Sequence, residues 1–381
     1  MRNIFFIFPN IPGFLPIGGD LKNIWMIFLV TKNISRIRFS TIYIIGVLSF
    51  LFLLSSINSF SLKYVLIAFM PFLVKFFLTR NYSIEKYILS AAYICILLSP
   101  LAVFQISSLD AIFELFFGTG SGFSGSTGRG VAYYANEPSH MSLYLLLFLS
   151  LAPRVSFQRQ IILFLSSALI IAFASSGSLF LYLVFYMFLF GVFKLWNLRL
   201  RSLLFLIPLI FFLYYAVTAG YFPQRIYGIL SSLSDLISNL DNFTIESTAR
   251  LASGRFIANY LWLTDLQNHP FGQGFGLDRS DIVDWGLELG ISFQSIGAFH
   301  VRGLEGLPIM PRSYVVSIFS IFGIFGVLFL LIVFFVFLHD KKITNYPMFG
   351  TAIFYLLVVG LPGNPLPWLI INLCLVGKLK A

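Results

Sequence analysis

The sequence predicts an all-α, polytopic integral membrane protein with about eleven or twelve transmembrane helices, and three observations predict it. Of 381 residues, 58% are hydrophobic and 10% charged, with a mean hydropathy of +0.90, whereas globular chains carry roughly 25% charged residues. Apolar runs recur along the whole length, which excludes a cytosolic enzyme with a single membrane tether. Lysine and arginine are sorted between alternate connectors, as chain orientation across a bilayer requires. The 46 Phe and 18 Tyr suit a bundle facing acyl chains. Trp25, Trp262, Trp285 and Trp368 fall near expected span ends or in loops, where an indole prefers the interface.

Crossing a bilayer takes about 20 apolar residues. Residues 1–106 form an N-terminal transmembrane region, with spans at 39–57, 61–78 and 87–106. Before them, one early charge, Arg2, and an apolar run broken by Pro9, Pro12 and Pro16 argue against a cleavable signal peptide. The first thirty residues read as one crossing or a helical hairpin turning at Gly18-Gly19-Asp20, of which the hairpin is preferred. Residues 107–137 are an outer loop, and 138–219 a central transmembrane region with spans at 138–152, 160–175, 179–193 and 202–219. A large outer loop covers 220–313, and 314–381 is the C-terminal transmembrane region, with spans at 314–338, 347–362 and 365–377. The shorter runs must tilt little or extend into polar flanks.

Charge placement sets the orientation. One set of connectors is short and basic, holding Lys32, Arg36 and Arg38, then Arg80 and Lys86, Arg154 and Arg159, Lys194, Arg199 and Arg201, Lys341 and Lys342, and Lys378 and Lys380. These are cytoplasmic under the positive-inside rule. The net charge of +10 is thereby explained by orientation and calls for no nucleic acid. Cys95 and Cys374 lie inside apolar runs and read as small hydrophobes, not as a disulfide or a thiolate metal site.

The two long outer loops differ in chemistry. Their basic residues are Arg129, Arg225, Arg250, Arg255, Arg279, Arg302 and Arg312, with no lysine, alongside many carboxylates and His140, His269 and His300. Guanidinium offers a rigid fork matched to phosphate and carboxylate oxygens. Any single arginine could equally pair with a loop carboxylate. As a set, ionisable groups gathered on one side of a bundle, in loops too long for simple turns, point to function there.

In the first loop, a glycine-dense stretch leads through Arg129 to Asn136-Glu137-Pro138-Ser139-His140 and an apolar helix. Proline suits a first helical turn, and Glu137 sits where the helix dipole favours an anion. Glu137 is either a capping charge or a carboxylate beside a cleft, able to take a hydroxyl proton or steady developing positive charge. His140 is a second proton acceptor or a hydrogen-bonded interface histidine.

In the second loop, 246–267 reads as an amphipathic helix ended by His269-Pro270, with an apolar stripe of Ala249, Ala252, Phe256, Tyr260 and Leu263. Arg255, Asn259 and Trp262 share a neighbouring face, an arrangement suited to a sugar phosphate. Phe271-Gly-Gln-Gly-Phe-Gly276 is either a tight turn or a backbone-amide nest for an anion. Asp278, Asp281 and Asp284, three apart, could face one way on a helix, but no converging oxygen set argues for metal. No P-loop, dinucleotide fingerprint, G-x-S-x-G elbow or H-E-x-x-H pair is present.

Three places together resemble the O-antigen polymerase family and, more distantly, the O-antigen ligases. They are Arg129-Gly through Glu137-Pro138-Ser139; Ser253-Gly-Arg255 with Trp262 and His269-Pro-Phe-Gly-Gln-Gly274-Phe-Gly276; and Arg312-Ser-Tyr314 followed by Ile321-Phe-Gly323-Ile-Phe-Gly326. The likeness covers the architecture over most of the chain and specific residues over a small part of it. It implies a membrane glycosyltransferase-type helical bundle in the bacterial inner membrane, with its long loops periplasmic and no cofactor or metal. It further implies undecaprenyl-diphosphate-linked oligosaccharides as donor and acceptor, and admits a chain-length regulator protein as partner. Ligases usually present a histidine and an asparagine where the large loop re-enters the membrane. Here that position reads Pro311-Arg312-Ser313, which weakens the ligase reading.

Growing charge on a leaving diphosphate can be stabilised by preorganised arginines. The expected catalytic residues are Glu137, Arg255, Arg250 and His269, with Glu137 the first choice as base. Arg129, Arg312, His140, Asn259 and Trp262 are expected to bind substrate. A transporter would instead carry midplane charges and repeated halves, whereas Lys63 and Lys75 are the principal mid-span charges and no repeat is evident. Lys63 lies near a span end, and Lys75 can snorkel. A purely structural envelope protein would leave the charged loop without a reason.

Overall fold

The computed structural model describes residues 62–78, 84–103, 133, 140–173, 177–195, 257–277, 281–289, 309–339, 341–358 and 362–377. The expected N-terminal hairpin, the spans at 39–57 and 202–219, and Arg129, Glu137, Arg250, Arg255 and Asp278 lie outside them. The described chain is predominantly helical, as the sequence predicts: α1 (Leu62–Leu78), α2 (Ile84–Val103), α3 (Met141–Leu151), α4 (Phe157–Phe173) and α5 (Gly177–Phe190) come first. They are followed by a helical segment at 257–264, α6 (Asp281–Glu288), α7 (Tyr314–Phe322), α8 (Phe325–Leu338), α9 (Tyr346–Val358) and α10 (Leu366–Leu373). A two-stranded antiparallel ribbon, β1 (Lys341–Ile343) with β2 (Leu375–Gly377), places Lys341 opposite Gly377.

Among the described residues no helix is long and apolar enough to cross a membrane. Two local causes shorten the expected spans. The run 314–338 is two helices, because Gly323 takes φ +57° and closes the C-terminus of α7, its N–H donating to Phe319 O at 2.7 Å. The run 365–377 is an eight-residue helix that gives way to β2. Prolines mark other ends: Pro153 opens the 3-10 turn that follows α3, and Pro365 and Pro367 sit in the first turn of α10, where a missing N–H costs nothing.

Helix directions are legible from side-chain contacts. α2 and α4 run parallel: Arg159 Nη1 donates to Glu85 Oε1 (2.6 Å) at their starts, and Ser166 Oγ to Ala92 O (2.9 Å) midway. At their far ends Tyr133 bridges Ser99 Oγ (3.1 Å) and Leu169 O (3.5 Å). α5 and α9 run antiparallel, with Tyr182 on Tyr355, Phe185 stacked on Phe354 at 3.9 Å and Phe193 on Tyr346. α1 packs on α7 and α8, where Tyr314 Oη donates to Ala68 O (3.0 Å) and Lys75 Nζ to Phe337 O (3.4 Å). The lysine at 75 therefore reaches toward the β1 end of the bundle. Trp368 is fully buried between Tyr314 (4.9 Å, edge-on) and Phe337 (5.4 Å), contrary to its expected place at an interface. Cys95 and Cys374 are buried free thiols.

These contacts give the bundle two unlike ends. Lys86, Arg154, Arg159, Lys341 and Lys342 gather at one, where Thr344 N donates to Cys374 O at 2.9 Å and Arg154 is within Coulombic reach of Cys374. The opposite end is covered by 257–277 and 309–313. Between them large apolar side chains stand exposed, among them Phe157, Ile161 and Phe164 on α4, Phe188 on α5, and Leu331 and Phe335 on α8.

The break at Gly323 is locked by the 269–277 segment. Gln273 N donates to Ser320 O (2.8 Å), Gly274 N to Ile321 O (3.0 Å) and Ile324 N to Pro270 O (2.9 Å). Gly272 and Gly274 take φ +81° and +73°, which favours glycine. A Cβ on Gly272 would overlap the Ile321 carbonyl, and one on Gly323 would overlap the Pro270 carbonyl. Gly272→Ala and Gly323→Ala are therefore each expected to destabilise by about 2 kcal/mol or more, measured by thermal unfolding in detergent. Gly350→Ala, which meets only the movable Leu189 side chain, is expected to cost far less.

Candidate functional site

The end opposite the basic cluster is built where the segment 257–277 meets the segment 309–313 that leads into α7. Residues 257–264 are helical and continue as a 3-10 turn, Asp265–Gln267. The side buried is that of Ile257, Ala258, Leu261, Trp262 and Asp265, whereas Leu263 is exposed and Tyr260 half-buried. The stripe expected through Tyr260 and Leu263 thus lies on the wrong face. Two apolar residues per turn at 257–258 and 261–262 outcompete it, because together they bury more surface.

Asn259 and Trp262 do share a face, but the structure gives them a different task from holding a sugar phosphate. Trp262 is 1% exposed and its Nε1 donates to Ile309 O at 2.7 Å, leaving no ring face for a saccharide. Asn259 is buried; its Nδ2 donates to Val358 O (3.1 Å) and its Oδ1 accepts from Arg312 N (2.7 Å). An indole and an amide therefore clamp the segment 309–313 between the loop helix and the C-terminus of α9. Ser313 completes the clamp. Its hydroxyl is shared between Leu356 O (2.8 Å) and Leu357 O (2.7 Å) and accepts from Val316 N as the N-cap of α7.

Arg312, held by its backbone, is half-buried one residue ahead of that cap. Its backbone thus precedes the N-terminus of α7, an end where the helix dipole favours negative charge. His140 is buried ahead of α3, with its backbone in the helical region, so it is not presented at an open cleft as expected of a binding residue. Tyr133 sits at the far ends of α2 and α4. Its ring is fully buried, its φ is +50°, and burial holds its hydroxyl well above the ordinary phenol range, so it stays a hydrogen-bond donor.

The glycine turn resolves in favour of packing. The amides of Gln273 and Gly274 are spent on carbonyls of α7, so they do not form an anion nest. Asp281 and Asp284 are exposed on α6, which Trp285 Nε1 pins to Thr264 Oγ1 at 3.1 Å. No group of three potential metal ligands converges among the described residues.

His269 is the expected catalytic residue best seen, and it has company that sequence reasoning passed over. Its side chain is 41% exposed, with Nε2 4.0 Å from Oδ1 of Asp265, whose carboxylate is almost wholly buried. Gln273 Nε2 donates to the other carboxylate oxygen, Asp265 Oδ2. The Asp265-to-His269 spacing of four at a helix end was the available signal. The structure thus brings Arg312, Asn259, Trp262 and His269 to one end, with the last three fixed on one loop segment.

Removing the clamp has a defined cost. Asn259→Ala leaves the Arg312 amide and the Val358 carbonyl without partners, at about 1–3 kcal/mol for each buried group. Trp262→Phe, which orphans the Ile309 carbonyl and leaves a small cavity, is expected to cost about 2–4 kcal/mol, both read from thermal unfolding. No family model matches the chain, and neither a curated protein nor a solved structure is significantly similar to it.

Proposed function

We propose that this protein is a polytopic membrane glycosyltransferase of the O-antigen polymerase type, joining undecaprenyl-diphosphate-linked oligosaccharides at the periplasmic face of the bacterial inner membrane. The observation that carries the reading is the two-ended bundle. Described lysines and arginines other than Lys63, at the start of α1, and Arg312 gather at or reach toward one end, an apolar belt follows, and Arg312, Asp265 and His269 stand at the other. Positive charge on one side with exposed Phe and Leu around the waist is what lipid solvation and the positive-inside rule require. The parallel packing of α2 on α4, and the antiparallel packing of α5 on α9, agree with the alternation that the basic connectors demand.

Helices of 14 and 17 residues rise about 21 and 25 Å, short of roughly 30 Å of hydrocarbon. In this reading polar flanks and local thinning of the bilayer make up the difference. Breaking a glycosyl–diphosphate bond places negative charge on the leaving diphosphate. Arg250 and Arg255, with Arg129 and Arg312 behind them, supply the cations for it without a metal. Glu137 and His269 are the groups for the acceptor proton and the positive charge that grows on the donor sugar.

Membranes supplied with lipid-linked repeats test this. Wild type is expected to lengthen glycan on lipid, while Glu137→Gln and Arg255→Ala are each expected to insert normally and to yield no long chains. Transfer to lipid A core would make the protein a ligase, and movement of the lipid-linked sugar without new bonds a transporter. Either outcome, or normal ladders from both variants, overturns the proposal.

A further inference from the structure

We infer that Asp265 and His269 act as a dyad in which His269 takes the acceptor hydroxyl proton and Asp265 is its positioning residue, an inference that rests on the glycosyl-transfer reading above. The dyad differs from every other polar pair described at this end, because one partner is buried and the other faces solvent. Asp265 is 3% exposed, His269 41% by side chain, and the two approach to 4.0 Å. That distance is within ion-pair reach and longer than a hydrogen bond, as catalytic pairs often are without substrate.

The scaffold under the pair is stiff. Asp265 O accepts from both Asn268 N and His269 N at 3.0 Å, which fixes the turn carrying both side chains. Gln273 Nε2 holds the far carboxylate oxygen, and Gln273 is itself anchored by its amide on Ser320 O. Its own Oε1 is buried with no partner, so its amide is oriented for the carboxylate at the expense of a satisfied carbonyl. In the dyad proposed here Nε2–H turns to Asp265 once substrate is bound, which leaves the Nδ1 lone pair for the half-exposed ring to present to a hydroxyl.

In the reaction, the acceptor hydroxyl oxygen bonds to the anomeric carbon as the bond from that carbon to the diphosphate oxygen breaks. The electron pair of the broken bond leaves with the diphosphate, and the hydroxyl proton passes to His269. Glu137 is then left to steady positive charge on the donor sugar.

The test uses the full chain in lipid nanodiscs with lipid-linked repeats, beside wild type. His269→Gln and Asp265→Asn are each expected to lower kcat by about 10²–10⁴-fold, with KM and melting temperature near wild type. Added imidazole is expected to restore part of the turnover of His269→Ala, which a structural role would not allow. Wild-type turnover in His269→Gln overturns the inference while leaving the polymerase reading in place. So does an Asp265→Asn defect confined to KM or melting temperature. Absence of glycan growth by wild type overturns the polymerase reading itself.

Discussion

The backbone interlock between 270–274 and 320–324 is the constraint on which the end of the bundle opposite the basic cluster depends. Three main-chain hydrogen bonds join a glycine turn to the place where an apolar run stops being one helix. Orphan carbonyls at a helix C-terminus need donors, and inside an apolar bundle water is not at hand to supply them. The amides of Gln273 and Gly274 meet that need. The same contact fixes the loop relative to α7 and α8, so the chemistry-bearing side chains upstream of it inherit a defined position.

From that lock a second set of contacts follows. Asn259, Trp262 and Ser313 tie the loop helix, the start of α7 and the end of α9 together through backbone carbonyls at Val358, Ile309, Leu356 and Leu357. α7 is thereby held at both termini, with Arg312 just ahead of its N-cap and Gly323 closing its C-terminus. A nine-residue helix would be marginal alone. Here its burial against α1, α8 and α9 and its capped ends stabilise it, and the side chains carried by its neighbours are held in fixed positions.

Among the described residues, helix content, helix positions and most of the clustering of basic side chains at one end were legible in the sequence, because they depend on local composition and on runs of lysine and arginine. The break at Gly323 was not. Ile321-Phe-Gly-Ile-Phe-Gly326 continues an apolar run, and the positive φ taken at Gly323 and the approach of Pro270, some fifty residues earlier in the chain, together make the glycine indispensable. Asn259 and Trp262 share a face as expected, and the structure shows both engaged with backbone groups, which the sequence did not foretell. Their partners lie 53, 99 and 47 positions away, and no local pattern announces a carbonyl at that separation. Asp265 shows the converse: an unremarked carboxylate four residues before a histidine gains meaning only once its burial is known.

The two-ended arrangement of charge is the claim most directly open to measurement. Because Cys95 and Cys374 are buried, single cysteines placed at the exposed positions Leu287 on α6 and Lys342 on β1 report against a quiet background. With a membrane-impermeant maleimide on spheroplasts, Leu287→Cys is expected to label at once and Lys342→Cys only after permeabilisation. Labelling of both from the same side, or in the reverse order, would contradict the account.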